Sequence, residues 1–211
     1  MSILLDDDQQ AIATESRRVA DARMKPEAAL KLLEARGEYD AAYWDMAKDQ
    51  GWTALTVPEA YGGIGLGLVE LGQVALAIGA TLAGAPFVTS GYGVADAIAR
   101  HGDDVLKSAW LERLASGDAI GAVAVGEGSS ALPRSPSVTF TDGRLTGTKL
   151  AVSGASHADV ALVLASDNGA PVLVVAAQAF AAAHSFCHAR VVALPGAQAH
   201  EVRENLRANF R

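Results

Sequence analysis

The sequence lacks most of the features that would mark a secreted, disordered or nucleic-acid-binding protein. It has one cysteine, Cys187, so it cannot form an internal disulfide framework, and it fits a reducing compartment. Only 19% of its residues are charged, the net charge is -7, and there is no stripe rich in lysine and arginine. These values exclude a general nucleic-acid binder. Because half of the residues are apolar, the chain is also too hydrophobic to be disordered.

Long hydrophobic runs are also missing. The longest, from Pro171 to Ala183, is interrupted by Gln178 and is shorter than the roughly 20 residues that a membrane-spanning helix needs. The N-terminus carries aspartates at positions 6 to 8, where a secretory signal would carry positive charge. We therefore expect no membrane insertion and a cytoplasmic location.

The first half of the chain has apolar residues at helical spacing, which predicts six helices. A helix rich in apolar residues, starting at Leu68, is expected to be buried around most of its circumference. The glycine-rich stretch from Thr56 to Gly67 is predicted to be a loop. The predicted helices cover residues 6–23, 26–37, 40–51, 68–82, 91–100 and 103–115.

After residue 118 the pattern changes to short runs of valine and leucine, which predict strands. Asp142-Gly143 and Asn168-Gly169 supply hairpin turns. Helices followed by consecutive strands indicate an α+β fold, with an N-terminal helical domain and a small antiparallel β-barrel or sandwich. No glycine fingerprint stands between a strand and a helix, which argues against a Rossmann nucleotide site. The predicted strands cover residues 119–125, 137–141, 144–152, 160–165 and 172–176.

The charge pattern divides the chain once more near residue 178. Residues 1–178 carry 22 acidic and 13 basic side chains, whereas residues 179–211 carry 2 acidic and 4 basic ones. We therefore expect a helical domain over residues 1–117, an incomplete β-domain over 118–178 and an atypical tail over 179–211. Neither strand alternation nor a helical stripe persists through this tail.

Three possible chemistries have simpler explanations. His184, Cys187 and His188 contain zinc-ligand types at helical spacing, but no carboxylate lies nearby in the sequence, so incidental surface histidines are favoured. Ser129 lies in a segment that resembles a serine elbow, but the second glycine of that motif is missing. The glycines between Tyr61 and Gly67 could cradle a phosphate, although a compact connector between helices is favoured. We expect no metal.

A series of segments, in the same order along the chain, resembles the acyl-CoA dehydrogenase family. Residues 51–66 are similar to its "LGL…VPEEYGGxGL" motif, and residues 85–90 to its "PFLxS" motif. Lys107 with residues 114–122 is similar to "K…LAxGExIGA", and residues 147–163 to "GxKxxVxxAxxADxxLV". The resemblance covers residues 1 to about 178 and fades where the charge pattern changes.

The resemblance implies a fold and a reaction. Members of the family have an N-terminal helical domain, a central β-domain and a C-terminal four-helix domain. FAD lies between the last two. A carboxylate base removes the α-proton of an acyl-CoA thioester, the β-hydride passes to the flavin, and electrons leave to an electron-transferring flavoprotein or a similar acceptor. The resemblance therefore implies FAD, an acyl-CoA substrate and a homo- or hetero-oligomer.

The resemblance also indicates site residues. Val125, Gly126 and Glu127 occupy the positions of the family's "LTEP" strand end beside the flavin, with Gly126 in place of the threonine that bonds the flavin. Ser153 falls where a threonine or serine contacts the flavin, and Val152 precedes it.

The resemblance implies roles for two further positions, one of which departs from the family pattern. Ala151 replaces a bulky aromatic residue, which would leave one wall of the flavin pocket open. Ser129 is expected to face the thioester.

The sequence also lacks a residue that can be assigned as the catalytic base. In the family this glutamate lies in the C-terminal helical domain, which the sequence does not contain. We therefore expect an incomplete enzyme whose base comes from a missing segment or a partner chain, with residues 179–211 arising from a frameshift or gene split. The alternative is an inactive remnant that acts as an interaction module, and a third interpretation is a related flavin oxidase or monooxygenase.

Overall fold

The computed structural model describes residues 5–23, 27, 30–31, 39–81 and 86–177, together with the backbone of 180–182, 188–192 and 199–202. The helices are α1 (Asp7–Arg23), α2 (Ala41–Asp49), α3 (Leu68–Ala80), α4 (Asp96–His101) and α5 (Asp104–Ser116). A π-helical segment, Thr89–Ala95, leads directly into α4. Short 3₁₀ turns lie at Trp52–Ala54 and Glu59–Tyr61.

The predicted helices within these residues are confirmed, and their ends have clear causes. Asp40 caps α2 by accepting a hydrogen bond from the Tyr43 amide. Asp103 caps α5 in the same way through the Leu106 amide. Gly117 ends α5 in a left-handed conformation with a φ of 74°. The helix predicted over residues 26–37 lies outside the described residues, apart from isolated positions.

The prediction that the apolar helix α3 is buried around most of its circumference is wrong. Leu71, Val74, Ala77 and Ile78 are buried. Leu68, Val69 and Leu76 are instead 41%, 48% and 68% exposed. The reason is that α3 packs on one side only, against α1 and the core beneath it, so its other side is apolar without being covered.

In the part of the chain that the structure describes, eight strands form a single sheet. They are β1 (Gly121–Ala124), β2 (Thr139–Thr141), β3 (Arg144–Leu150), β4 (Val160–Asp167), β5 (Ala170–Ala177), β6 (Phe180–Ala182), β7 (His188–Val192) and β8 (Ala199–Val202). The order is β6-β7-β3-β2-β4-β5-β8, with β1 also paired to β4. The α+β class is confirmed. The sheet is mixed, because β1 and β2 both pair with β4 in parallel.

Both predicted hairpin turns are present. Asp142 and Gly143 have φ values of 50° and 73°, and they join β2 to β3, with Thr141 opposite Arg144. Asn168 and Gly169 have φ values of 48° and 83° between β4 and β5. Two central residues with positive φ are the conformation that a two-residue hairpin favours, which explains the Asp-Gly and Asn-Gly pairs.

The segment predicted to be an atypical tail contributes the backbone of β6, β7 and β8. β7 pairs antiparallel with β3 from Thr146–Val192 to Leu150–His188, and β6 pairs with β7. β8 pairs with β5. Backbone pairing does not require a strict alternation of side chains, so these strands gave no clear signal in the sequence. The proposed division at residues 117 and 178 stays a prediction.

One apolar core crosses from the helices to the sheet. Ile98, Leu111 and Leu114 pack in the same cluster as Val160 and Val175. The opposite face of β4 and β5 contributes to a second cluster, which the curled strands β2 and β3 close. Within the part of the chain that the structure describes, no helix combines the length and apolar character needed to cross a bilayer.

Candidate functional site

The residues at the end of β1 and those after β3 come together at one edge of the sheet. The Leu150 amide donates a hydrogen bond of 2.9 Å to the Gly126 carbonyl. The Lys149 ammonium donates to the Val125 carbonyl at 3.2 Å. These contacts join two segments about 25 residues apart in the sequence, both of which the family resemblance indicates as flavin contacts.

The segment after β3 turns outward at Ala151. This residue has a φ of 54°, a left-handed conformation that is uncommon for a residue with a side chain. Ala151 and Ser153 are exposed on either side of Val152, which is buried. Among the residues that the structure describes, the Ser153 hydroxyl has no hydrogen-bond partner. This part of the sheet therefore presents a hydroxyl and a small apolar side chain to solvent.

Glu127 is the acidic residue at this edge, and its carboxylate is fully engaged. It accepts from the Ser137 amide at 2.6 Å, the Ser137 hydroxyl at 2.8 Å and the Val138 amide at 3.1 Å. It also pairs with the Lys149 ammonium at 2.5 Å. Burial raises the pKa of Glu127, but these hydrogen bonds outweigh burial and bring the pKa to about 2.

Lys149 is the residue at this site that the sequence interpretation did not single out. Its side chain is completely buried. Burial lowers its pKa, and pairing with Glu127 offsets part of that effect. The sequence does carry a signal for it, because β3 alternates and Lys149 occupies the same inward-facing register as Leu145. A charge at an inward position of a strand predicts a buried partner.

Ser129 lies farther along the turn that leaves β1. It is exposed, in a tight loop closed by backbone hydrogen bonds between Glu127 and Ser130. The neighbouring Gly128 has a φ of 53° and open space around it. Ser129 is therefore accessible beside the edge formed by Gly126 and Ser153.

Other motif residues join the helices to this sheet. The Ser90 hydroxyl accepts from the Gly121 amide at 3.1 Å, and both residues are buried. The Asp159 carboxylate accepts from the Ile120 amide at 2.9 Å, which fixes the start of β1 beside β4. A side chain on Gly154 would lie 3.1 Å from Pro86, so the segment after Ser153 packs closely against the entry to the π-helical segment. These contacts fix the edge relative to the helices.

The other chemistries considered from the sequence gain no support at the described residues. No group of three or more histidine, cysteine, aspartate or glutamate side chains within the described residues could hold a metal ion. His184 and Cys187 lie outside the described residues. A groove of about 380 Å³ lies between α1 and α2, lined by residues such as Val19, Asp45 and Met46, and it contains none of the predicted site residues.

Together, the fold and the edge define an α+β chain in which a helical layer and a curled mixed sheet share one core. The N-terminal domain of acyl-CoA dehydrogenases matches residues 6–118. The chain therefore belongs to the acyl-CoA dehydrogenase family.

Individual relatives agree with this assignment. Acyl-CoA dehydrogenase FadE27 of Mycobacterium tuberculosis (strain ATCC 25618 / H37Rv) is 35% identical over 160 residues, which are 75% of this chain and 43% of FadE27.

Solved structures share the fold. The ChsE4-ChsE5 complex from Mycobacterium tuberculosis matches with a TM-score of 0.80 and 25% identity, over 96% of this chain and 59% of that one. A glutaryl-CoA dehydrogenase from Mycobacterium smegmatis, in complex with FADH2, matches with a TM-score of 0.79 and 22% identity, over 96% and 57%. The chain thus spans about two fifths to three fifths of the length of these proteins.

Proposed function

We propose that this chain forms the FAD-facing part of an acyl-CoA dehydrogenase, an oxidoreductase that introduces a double bond between the α and β carbons of an acyl-CoA thioester. The observation that carries the proposal is the junction of Gly126 with Leu150. It brings together the two segments that resemble the flavin-contacting motifs of the family and leaves Ser153 exposed beside them.

The chemistry of the edge fits a flavin. The Ser153 hydroxyl is free to donate to a flavin ring atom, and Ala151 leaves space beside it. Val125 and Gly126 would contribute main-chain groups, because Gly126 has no side chain. Glu127 would lie beside the flavin without donating to it, because its carboxylate is already bonded and its amide donates to the Ser130 carbonyl. Val152 is buried, so it would fix the position of the adjacent Ser153. When bound, FAD supplies the two-electron acceptor for the reaction.

Glu127 is unsuited to be the catalytic base. A base must accept a proton from the substrate, whereas this carboxylate accepts four hydrogen bonds and has a pKa of about 2. We therefore propose that the base is a carboxylate outside the described residues, on a further segment or on a partner chain. Ser129, exposed beside the same edge, is proposed to contact the thioester.

We further propose that the protein acts as an oligomer in the cytoplasm and passes electrons to an electron-transferring flavoprotein or a similar acceptor. The related ChsE4-ChsE5 structure is a complex of two different chains, which supports a hetero-oligomer. The single cysteine of the sequence supports a reducing compartment.

A second candidate is an inactive interaction module of the same fold. It is favoured by the apolar side of α3, where Leu68, Val69 and Leu76 are exposed. An uncovered apolar surface on a helix is typical of a surface that contacts another protein.

FAD titration of the full chain separates the two candidates. We expect FAD to raise the thermal unfolding midpoint, because a ligand that binds the folded state stabilises it. Ser153→Ala should weaken FAD binding about three- to tenfold, since one hydrogen bond is lost. Ser108→Ala, at an exposed position of α5, is the matched control and should leave the affinity unchanged. A chain that neither binds FAD nor is stabilised by it would support the interaction module instead.

A further inference from the structure

The carboxyl ends of β1 and β3 are held together without forming a β-ladder. Of the described strand pairings, β1 has β4 as its partner, and β3 has β2 and β7. Just beyond those pairings, the Val125 carbonyl accepts from the Lys149 ammonium and the Gly126 carbonyl accepts from the Leu150 amide. β1 and β3 are otherwise connected only indirectly in the described sheet, through β4 and β2, so these contacts are the direct link between the two ends.

The buried Lys149–Glu127 pair is at the centre of this junction. Lys149 has no solvent exposure, and the side chain of Glu127 is only 10% exposed. The pair links β3 to the Val125 carbonyl through the ammonium and to the loop at Ser137 and Val138 through the carboxylate. Three chain segments thus meet at one ion pair whose hydrogen bonds are made within the protein, which restricts their movement.

The space around the junction is also tight. A side chain at Gly126 would lie 2.9 Å from the Leu150 carbonyl oxygen, so the two segments already touch. Ala151 follows immediately in its left-handed conformation, and Ser153 is two residues farther on. A left-handed conformation in a non-glycine residue persists only where its surroundings enforce it. Lys149, two residues before Ala151 and fixed by its ammonium, is the anchor for that turn.

We propose that Lys149 and Glu127 are positioning residues, which hold the Val125–Gly126 segment at a fixed separation from the Ala151–Ser153 segment. This inference rests on the proposed function in one respect only, namely that these two segments face the flavin. Neither side chain needs to touch the cofactor. Lys149 and Glu127 act on cofactor binding indirectly, because they fix the position of the backbone atoms and of the Ser153 hydroxyl at the junction.

The test compares Lys149→Met with the unmodified full chain in two measurements. The first is hydrogen exchange at the Leu150 amide in FAD-free protein. The second is the FAD dissociation constant from flavin fluorescence. Methionine retains much of the apolar stem and removes the ammonium. Since bonds to a charged group are lost, we expect both the exchange rate of Leu150 and the dissociation constant to rise about tenfold. The amides of Val74 and Leu111, in buried parts of α3 and α5, report any loss of overall stability, and the rise at Leu150 should exceed the rise at these two amides.

Two further variants keep the test decisive. Lys48→Met removes a lysine whose partner, Asp45, is exposed, and it should change neither measurement. If Lys149→Met does not fold, Glu127→Gln replaces it, because the amide keeps the size and one acceptor oxygen. In the Lys149→Met, Glu127→Gln double variant no unpaired charge is buried, so part of the Leu150 protection should return.

Specific results would contradict the proposed positioning role of Lys149 and Glu127. The inference is overturned if Leu150 protection and FAD affinity are unchanged in a folded variant, or if all buried amides exchange faster to the same extent, as a purely structural role would produce. If the unmodified chain fails to bind FAD, the proposed function is wrong. The Leu150 measurement still decides whether the pair positions the junction.

Discussion

The low pKa of Glu127 predicts that the stability of the protein depends on pH. Its pKa of about 2 in the folded protein lies below the ordinary value of 4.5. A carboxyl group with a depressed folded-state pKa stabilises the protein above its unfolded pKa, and this contribution disappears as the pH falls toward the folded pKa. The window of loss is therefore between about pH 4.5 and pH 2.

The corresponding prediction concerns Glu127→Gln. We expect the variant to be less stable than the unmodified chain at pH 7, by on the order of 2 kcal/mol in the free energy of unfolding. The difference should shrink as the pH is lowered from 5 to 2.5, because the carboxyl group takes up a proton in the unfolded state while it stays ionised in the folded state. Urea denaturation at a series of pH values measures it. Glu112→Gln, at an exposed position of α5, is the control, and a gap that stays constant with pH would contradict the prediction.

Tyr43 has a buried polar group that lowers the stability of the folded protein. It is 3% exposed, and its hydroxyl has no hydrogen-bond partner among the described residues. Burial raises the pKa of this phenol, and the charge of Asp40 adds to that effect. Its ring contributes to the core beside Trp52, with the two ring centroids 6.5 Å apart. The ring therefore stabilises the core while its hydroxyl is desolvated without compensation.

We predict that Tyr43→Phe raises the free energy of unfolding by about 1 kcal/mol, because it removes an unsatisfied buried group and retains the ring. Thermal unfolding followed by circular dichroism measures the change. Tyr92→Phe, where the side chain is half exposed, should have almost no effect. A loss of stability in Tyr43→Phe would show that the hydroxyl has a partner in the folded protein.

At the scale of elements, the loop between α2 and α3 shows why its glycines are needed. A side chain on Gly63 would lie 1.8 Å from the Val57 carbonyl oxygen, a distance that no rotamer change can relieve. Gly62 beside it has a φ of 77° but open space around it. Backbone hydrogen bonds fold the loop onto itself, with the Ile64 amide donating to Ala54 and the Leu66 amide to Leu55. The loop is thus a compact connector, as the glycine spacing favoured.

These two neighbouring glycines give a matched pair of variants. Gly63→Ala should lower the free energy of unfolding by about 3 kcal/mol or more, because the backbone itself must move. Gly62→Ala should cost only about 1 kcal/mol, the strain of a left-handed alanine. Chemical denaturation of both variants gives the comparison. Equal losses would mean that the loop can shift to accommodate a side chain at position 63.

The sequence predicted correctly the features that depend on neighbouring residues, and it missed those that depend on contacts between distant parts of the chain. Local signals succeeded, since the turns at Asp142-Gly143 and Asn168-Gly169 depend on neighbouring residues alone. The uncovered side of α3 was not predictable, because composition gives no information about what packs against a helix. At the candidate site, the resemblance indicated Gly126 and Ser153. The partnership of Glu127 with Lys149 was missed because it spans 22 residues and depends on the register of β3.

At the scale of the whole molecule, the helices and the sheet are joined too closely to unfold separately. The Gly121 amide in β1 donates to the Ser90 hydroxyl, and a side chain on Gly121 would lie 2.7 Å from the Val94 Cβ atom. A side chain on Gly93 would lie 2.3 Å from the Val123 Cγ2 atom. The cluster that contains Ile98 and Leu114 also contains strand residues such as Val160. Loss of either layer would therefore expose core surface of the other.

We predict one cooperative unfolding unit, observed as equal opening free energies for buried amides of α5 and of β4 in native-state hydrogen exchange. Gly121→Ala should lower both values together by about 1–3 kcal/mol, because its methyl group forces the π-helical segment away from β1. Gly72→Ala, on α3 where a side chain meets no atom within 4 Å, is the control and should stabilise the protein by about 0.5–1 kcal/mol. If Gly121→Ala destabilised the strand amides and left the α5 amides unchanged, the two layers would be independent units. Their shared core would then contribute to packing without coupling their unfolding.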